Sequence, residues 1–370
     1  MPPAAGRYGR TDYLVKVLEL TEAFGSEELE AVERLRLEFP AYSAAEGKLP
    51  PRHRVRPLRP GDVTFTPLRR GPGPEAGVEK LRLEGAAPRE DVKRYKERAT
   101  NLPPAPPGPE YVRGRYADQG MPRLAGSEVL LQSEALVETA RECFDAGVVV
   151  PFLAYANVWL PGQLLSVHTD VPAFRGADRT SVDAWLLVVM HHSGLFREWR
   201  IPIATVVCYF DESRGGALTY HAGPHGAEHG TFVPRFNTAV AFDADTVFHE
   251  VEPLDGWTDM TSRLRQGWLR ARPRRWRLDV DRNGRDTELA SFRPEEVRFS
   301  LSWKAYCFSD EEEYRCWAER KDDLARDRIV PVLVEELCRR GVLEDPAHRP
   351  SGAELAGLLI DEFVPFPAAG

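Results

Sequence analysis

The chain has 370 residues, 42% hydrophobic and 29% charged, a balance that suits a folded chain of one large domain or two small ones and argues against disorder. A formal net charge of -8 and a pI near 5.7 give no global reason to expect a nucleic-acid or membrane-surface partner, and no apolar run reaches the ~20 residues of a membrane span. The opening MPPAAGRYGRTDY has no apolar signal-peptide core, so the expected location is the cytoplasm. Cys143, Cys208, Cys307, Cys316 and Cys338 form no CxxC pair, which predicts free or buried thiols, not a disulfide framework or a thiolate zinc site.

In chain order, residues 11–38 carry helical periodicity, from Leu14, Val17, Leu18 and Leu20 into the acidic amphipathic stretch Glu27–Leu37. Residues 50–75 and 101–109, rich in Pro, Gly and Arg, read as loops. Residues 126–146 read as one helix opening at Ser127. From Val148 to Phe308 the texture changes to short β-rich runs separated by Gly, Pro and Asp, which predicts a sandwich or barrel. After Ser309 the pattern is helical again, from Asp310 to about Arg340. This layout predicts an α+β fold: a helical and loop-rich region over 1–147, a jelly-roll-type double sheet over 148–308, and a helical C-terminal region over 309–370.

The sharpest chemical feature is His168-Thr169-Asp170 at the end of a predicted strand. Residues i and i+2 of a strand project to one face, so an imidazole and a carboxylate there can share a metal. His249, closing the run TAVAFDADTVFHEV, offers a third ligand from another strand. Two histidines and one carboxylate leave adjacent positions open, which suits non-haem iron(II) with a chelating co-substrate and dioxygen. A structural zinc site is closed by four protein ligands instead. A lone His-x-Asp is also a common surface hydrogen-bonded pair, so its neighbours carry the distinction.

Those neighbours resemble the prolyl-hydroxylase-like branch of the iron(II)/2-oxoglutarate oxygenases over roughly residues 150–308. Trp159-Leu160-Pro161-Gly162 leading to His168-Thr169-Asp170 looks like that family's aromatic–x–Pro–Gly…His–x–Asp signature, with Trp159 where Tyr is usual. Gly215-Gly216-Ala217-Leu218 is similar to its Gly-Gly-acidic-Leu segment, with Ala in place of the acid. Pro234 with Asn237–Phe242, and His249-Glu250-Val251-Glu252-Pro253-Leu254, resemble its later strands in the correct order. The resemblance implies a double-stranded β-helix (jelly-roll or cupin-like) core buttressed by the terminal helices. It also implies Fe(II) held by His168, Asp170 and His249, with 2-oxoglutarate and dioxygen as co-substrates. The expected activity is hydroxylase-type oxidation of a C–H bond with release of succinate and carbon dioxide. Retention of Asp170 speaks against halogenation, since the superfamily's halogenases replace that carboxylate with a small residue. Desaturation or cyclisation at the same iron remains open. The substrate expected is a small molecule, with a protein or peptide side chain as the alternative, and a non-catalytic β-helix binding protein is the rival of another class.

The family also implies an arginine for the far carboxylate of 2-oxoglutarate, within Arg-x-Ser shortly after the distal histidine. This chain has Asp259 there, which cannot serve, whereas Arg298-Phe299-Ser300 matches the motif further on. Arg298 is therefore the expected anchor, with Ser300, Trp159 and Asn157 beside the co-substrate and Arg263 and Arg265 as competitors. On this reading 256–297 is an insertion containing a hairpin, Trp276–Val280 and Thr287–Phe292, turned at Asn283-Gly284. Its arginines are expected to form a solvated, partly salt-bridged face, and the insertion is expected to help form or cover the substrate entrance. His191, His192, His221, His225 and His229 are read as loop histidines.

Overall fold

The computed structural model describes residues 16–56, 58, 80–83, 111–222, 228–344 and 350–365. Leu14, most of the 50–75 stretch, all of 101–109 and His225 lie outside the described residues. The order begins β1 (Leu18–Thr21), α1 (Ser26–Glu38), β2 (Val112–Asp118), β3 (Met121–Pro122), α2 (Glu128–Leu131), α3 (Glu134–Phe144), β4 (Val148–Trp159), β5 (Leu165–His168) and β6 (Ala173–Phe174). It continues with α4 (Ala184–Ser193), β7 (Arg200–Ile201), β8 (Ile203–Tyr209), β9 (Leu218–Ala222), β10 (Glu228–Phe232), β11 (Thr238–Phe242) and β12 (Phe248–Val251). Last come β13 (Gly267–Arg272), β14 (Arg275–Arg282), β15 (Arg285–Phe292), β16 (Arg298–Phe308), α5 (Glu311–Ala318), α6 (Ile329–Arg339) and α7 (Gly352–Phe363).

The fold is α+β with several antiparallel sheets, but the expected double-stranded β-helix is not what the hydrogen bonds build. One sheet has seven strands in the order β1-β11-β8-β16-β4-β2-β3, and another has four, β10-β9-β12-β5. Among the described residues no strand belongs to both, so these sheets are not closed into a barrel. Closure requires the hydrogen-bonded register to run round from edge to edge. Many short strands with turn signals look the same in a sequence whether or not it does.

The seven-stranded sheet has two distinct faces, set by the period of two along its long strands. On β16, Phe299, Leu301, Trp303, Ala305 and Cys307 join α1, α2 and α3 in the largest hydrophobic core. Arg298, Ser300, Ser302, Lys304 and Tyr306 point the other way, towards a cavity that the four-stranded sheet also lines. A second core joins α4 to α6 and α7. Helix α4, AWLLVVMHHS, is apolar almost all round, which is why it is buried.

Several local expectations change. Residues 18–21 form an edge strand on β11, not the start of a helix, and the helix begins only at Ser26. The expected single helix over 126–146 is two, because Ser133 is extended between them, its hydroxyl donating to Glu28 at 2.6 Å. The C-terminal helical stretch is likewise divided into α5, capped by the Asp310 carboxylate on the Glu312 and Glu313 amides, and α6. His191 and His192 sit on α4, and His221 and His229 oppose each other on β9 and β10, so none of these four is a loop histidine. The hairpin is present, with Asn283 and Gly284 both at positive φ as a type I′ turn demands. It is the outer part of a three-stranded sheet that also contains β13. Among the described residues all five cysteines are free, and no helix is long and apolar enough to cross a membrane.

Candidate metal and carboxylate site

Strand β12 pairs β5 in a register that sets His249 directly opposite His168. Their rings lie 4.3 Å apart between centroids. Each imidazole is oriented by its own strand: His168 Nδ1–H donates to the Ser166 carbonyl at 2.8 Å, and His249 Nδ1–H to the Val247 carbonyl at 2.9 Å. A proton fixed on Nδ1 leaves the Nε2 lone pair as the ligand atom of each ring. Asp170 lies just past the end of β5, and its amide donates to the Ala244 carbonyl at 2.8 Å, tying it to the loop that leads into β12. One ligand atom from each of His168, Asp170 and His249 falls within 4.8 Å of the others. The structure thus brings the three expected residues into one cluster compatible with a mononuclear metal.

Sequence reasoning missed a fourth member. Lys304 Nζ, from the middle of β16, donates to Asp170 Oδ2 at 2.6 Å and to Thr205 Oγ1 at 3.0 Å. Burial alone would raise the Asp170 carboxyl, but the Lys304 ammonium and the two imidazoles hold it well below the usual carboxylate range. The signal was present: a lone lysine in the otherwise apolar run SLSWKAYCF has to be buried or paired. Below the cluster, burial pushes the Asp245 carboxyl up, and Asp243 beside it adds to the effect.

Arg298 lies on the same cavity wall and is only 2% exposed. Its guanidinium sits between the rings of Trp159 at 5.3 Å and Tyr209 at 5.0 Å. Among the described residues its buried Nε and Nη1 have no hydrogen-bond partner within bonding geometry, the Tyr209 side chain being the nearest polar neighbour that acts on its charge. Burial lowers its pKa, yet a guanidinium starts so high that it stays charged. A buried, charged fork with orphaned donors fits a carboxylate supplied from outside the chain. Gly216 makes room for it: a Cβ there would meet Arg298 Cδ at 3.2 Å and Nη1 at 3.3 Å, at a φ of +70° that favours glycine anyway.

The other expected residues are close by. Trp159 and Asn157 are the cross-strand partners of Arg298 and Ser300. Asn157 Nδ2 donates to Ser302 Oγ at 3.0 Å, while its Oδ1 is buried without a partner. Arg263 and Arg265 are exposed on a 3-10 segment and do not line the cavity. The cavity measures about 960 Å³. Among the described residues none of 256–297 lines it, although Asp286 and Trp268 contact His53, which does.

No family model and no curated protein matches the sequence. Among solved structures, a Pseudomonas putida prolyl-4-hydroxylase is similar at 12% identity and TM-score 0.35, over 80% of this chain and 94% of its own. A 2OG-Fe(II) oxygenase family oxidoreductase from Burkholderia pseudomallei is similar at 14% identity and TM-score 0.32, over 59% of this chain and 78% of its own. HygX from Streptomyces hygroscopicus, with nickel, 2-oxoglutarate and hygromycin B bound, is similar at 11% identity and TM-score 0.30, over 61% and 80%. At these scores the likeness is loose, and the functional reading rests on the residues of the site.

Proposed function

We propose that the chain is an Fe(II)- and 2-oxoglutarate-dependent oxygenase, of the prolyl-hydroxylase-like branch that its motif order resembles, acting on a small molecule. The observation that carries this reading is a pairing across one cavity. The four-stranded sheet and the loop after β5 present a three-ligand His/Asp/His cluster, and the seven-stranded sheet presents a buried arginine with orphaned donors.

When bound, iron(II) with 2-oxoglutarate and dioxygen supplies oxidation of a C–H bond, releasing succinate and carbon dioxide. The chain's own part is to hold and orient. His168 and His249 present Nε2 because their Nδ1–H groups are tied to backbone carbonyls. Asp170 adds the negative ligand, kept ionised by Lys304. Arg298 clamps the far carboxylate of 2-oxoglutarate, with Trp159 and Tyr209 holding the guanidinium in plane. The rest of the cavity is left for the substrate, with Tyr111, Arg113 and Tyr155 on one wall. Val207, Leu218 and Val251 add apolar surface to the cavity wall near the cluster.

The test is anaerobic reconstitution of metal-free protein with Fe(II), followed by exposure to 2-oxoglutarate and oxygen. Wild type takes up about one iron per chain and forms succinate, whereas His249→Ala loses most of the iron and nearly all turnover. Equal iron in the two proteins removes His249 from the site, and the absence of succinate from the iron-loaded wild type removes the oxygenase reading.

A further inference from the structure

Lys304 is a buried cation held against the same carboxylate that the proposed metal needs. It sits in the centre of the seven-stranded sheet, with Leu153 and Thr205 as cross-strand partners on either side, so its Cα cannot drift. The residue is 8% exposed, and its ammonium is fixed by Asp170 Oδ2 at 2.6 Å and Thr205 Oγ1 at 3.0 Å. Asp170 reaches the site from the loop after β5, so this contact bridges the seven-stranded sheet to the metal-ligand cluster.

An ion pair in this place is not needed to fold the loop, because the Asp170 amide is already anchored on Ala244. Nor is an ammonium a metal ligand, since it has donors and no lone pair. What it does is take one lone pair of Oδ2 and hold that oxygen towards β16, leaving Oδ1 as the freer ligand atom. A carboxylate with both oxygens free can chelate and fill two coordination positions of a divalent ion. One restricted to a single oxygen fills one. With two imidazoles, that difference decides whether three positions stay open, which is the number that a chelating co-substrate and dioxygen together require.

We propose that Lys304 is a positioning residue that reserves Oδ2 of Asp170, so that Asp170 offers a bound metal one oxygen only. This rests on the metal-site reading above and adds to it a cost in affinity. A fixed positive charge beside a dication repels it, so Lys304 weakens metal binding while it keeps coordination positions open. The sign is the useful part, because a residue that merely supported the ligand loop would strengthen binding.

The experiment uses the full chain, Co(II) as an anaerobic probe, and the visible spectrum of the bound ion together with its dissociation constant. Lys304→Met keeps the length of the side chain and removes the charge and the donors. It is expected to bind Co(II) about tenfold more tightly than wild type and to change the Co(II) bands towards a higher coordination number. Addition of 2-oxoglutarate then perturbs that spectrum less than it does in wild type. Lys304→Arg, which restores a cation and donors, returns both readouts towards wild type. Equal or weaker Co(II) binding by a folded Lys304→Met overturns the proposal. Should that variant not fold, X-ray absorption of the wild-type Co(II) complex decides: one-oxygen carboxylate ligation supports the proposal, and two-oxygen ligation overturns it. Failure of wild type to bind Co(II) at all overturns the metal site itself, and is distinguishable from wild type and Lys304→Met binding alike, which overturns only the role of Lys304.

Discussion

Arg298 is a cation buried without a carboxylate among the described residues, an arrangement that lowers stability until something anionic arrives. Two opposite effects of Arg298→Leu follow. Loss of a buried charge-assisted pair removes on the order of 2–5 kcal/mol, so the apparent affinity for 2-oxoglutarate falls more than tenfold. The unliganded variant melts at or above the wild-type temperature, since an unpaired buried charge has been exchanged for an apolar side chain. Arg263→Leu and Arg265→Leu alter neither, because both residues are exposed away from the cavity. Titration of 2-oxoglutarate and thermal melts check this, and a large loss in Arg263→Leu contradicts it. At this scale the site was largely legible. His168, Asp170, His249 and Arg298 sit in short motifs whose chemistry is tied to local spacing. For Lys304 the sequence signals a buried or paired lysine but not its partner, because the contact joins a strand of the seven-stranded sheet to the loop after β5 and no spacing encodes it.

The three-stranded sheet of the insertion shows how elements divide the work. Three of its arginines pair with acids, in keeping with a partly salt-bridged face: Arg270 and Arg277 with the fully buried Asp279, and Arg275 with Glu288. Asp286 at the root of β15 is different, because it reaches outside its own sheet. It accepts hydrogen bonds from His53 Nε2 at 2.7 Å and Arg52 Nη2 at 2.8 Å, on the segment whose residues Ser43, Glu46, Leu49 and His53 line the cavity. Burial alone would raise the Asp286 carboxyl, but hydrogen bonds from His53 and Arg52, with Arg270 nearby, hold it down at about 2. A depressed folded-state pKa gives stability that is present above the ordinary carboxylate value and lost as pH falls through the folded one. Asp286→Asn is therefore less stable than wild type at neutral pH, by about 1 kcal/mol after allowing for solvent screening of this part-exposed group, and that gap closes between about pH 4 and pH 2. Urea midpoints of both proteins across that range test it, and a gap that persists at the acid end refutes the assignment. The hairpin was readable from Asn283-Gly284, since only positive-φ residues fit that turn. Strand β13, GWLRAR, escaped notice because alternate arginines hide its apolar side. Strand β1 differs from the expected helix because Leu14, Val17 and Leu18 have helical spacing, whereas Leu18 and Leu20 alternate with a period of two, and four residues are too few to decide between them.

At the scale of the whole molecule, the seven-stranded sheet separates two tasks: one face looks onto the cavity and the other onto the main hydrophobic core. The broad α+β order was visible in the change of texture at Val148. Sheet closure was not, because it depends on which strand edges meet. Leu269, Ala271, Trp276, Leu278 and Phe292 of the insertion pack into the main core. Leu269 and Tyr42 exchange backbone hydrogen bonds at 2.8 and 2.9 Å. The fully buried Trp276 ring packs on Tyr42 at 5.4 Å and on Phe299 at 6.0 Å. Phe299 is the neighbour of Arg298 on β16, but its side chain belongs to the opposite face. Trp276→Ala therefore opens a void in the core without touching the cluster that faces the cavity. A substitution of this kind costs about 3–5 kcal/mol, enough to move the urea midpoint far down. Below that midpoint, Co(II) binding per folded chain stays at the wild-type level, because His168, Asp170, His249 and Lys304 are anchored by β5, β12, β16 and the 243–246 loop, and the Trp276 ring meets β16 at Phe299, on the face turned away from the cavity. Replacing Trp268–Phe292 by a Gly/Ser linker removes Trp276, Leu278 and Phe292 from the core together and is expected to abolish cooperative unfolding. A linker variant that still unfolds cooperatively near the wild-type midpoint contradicts the buttress. A Trp276→Ala protein that folds but has lost Co(II) shows that the two faces of the sheet are coupled after all.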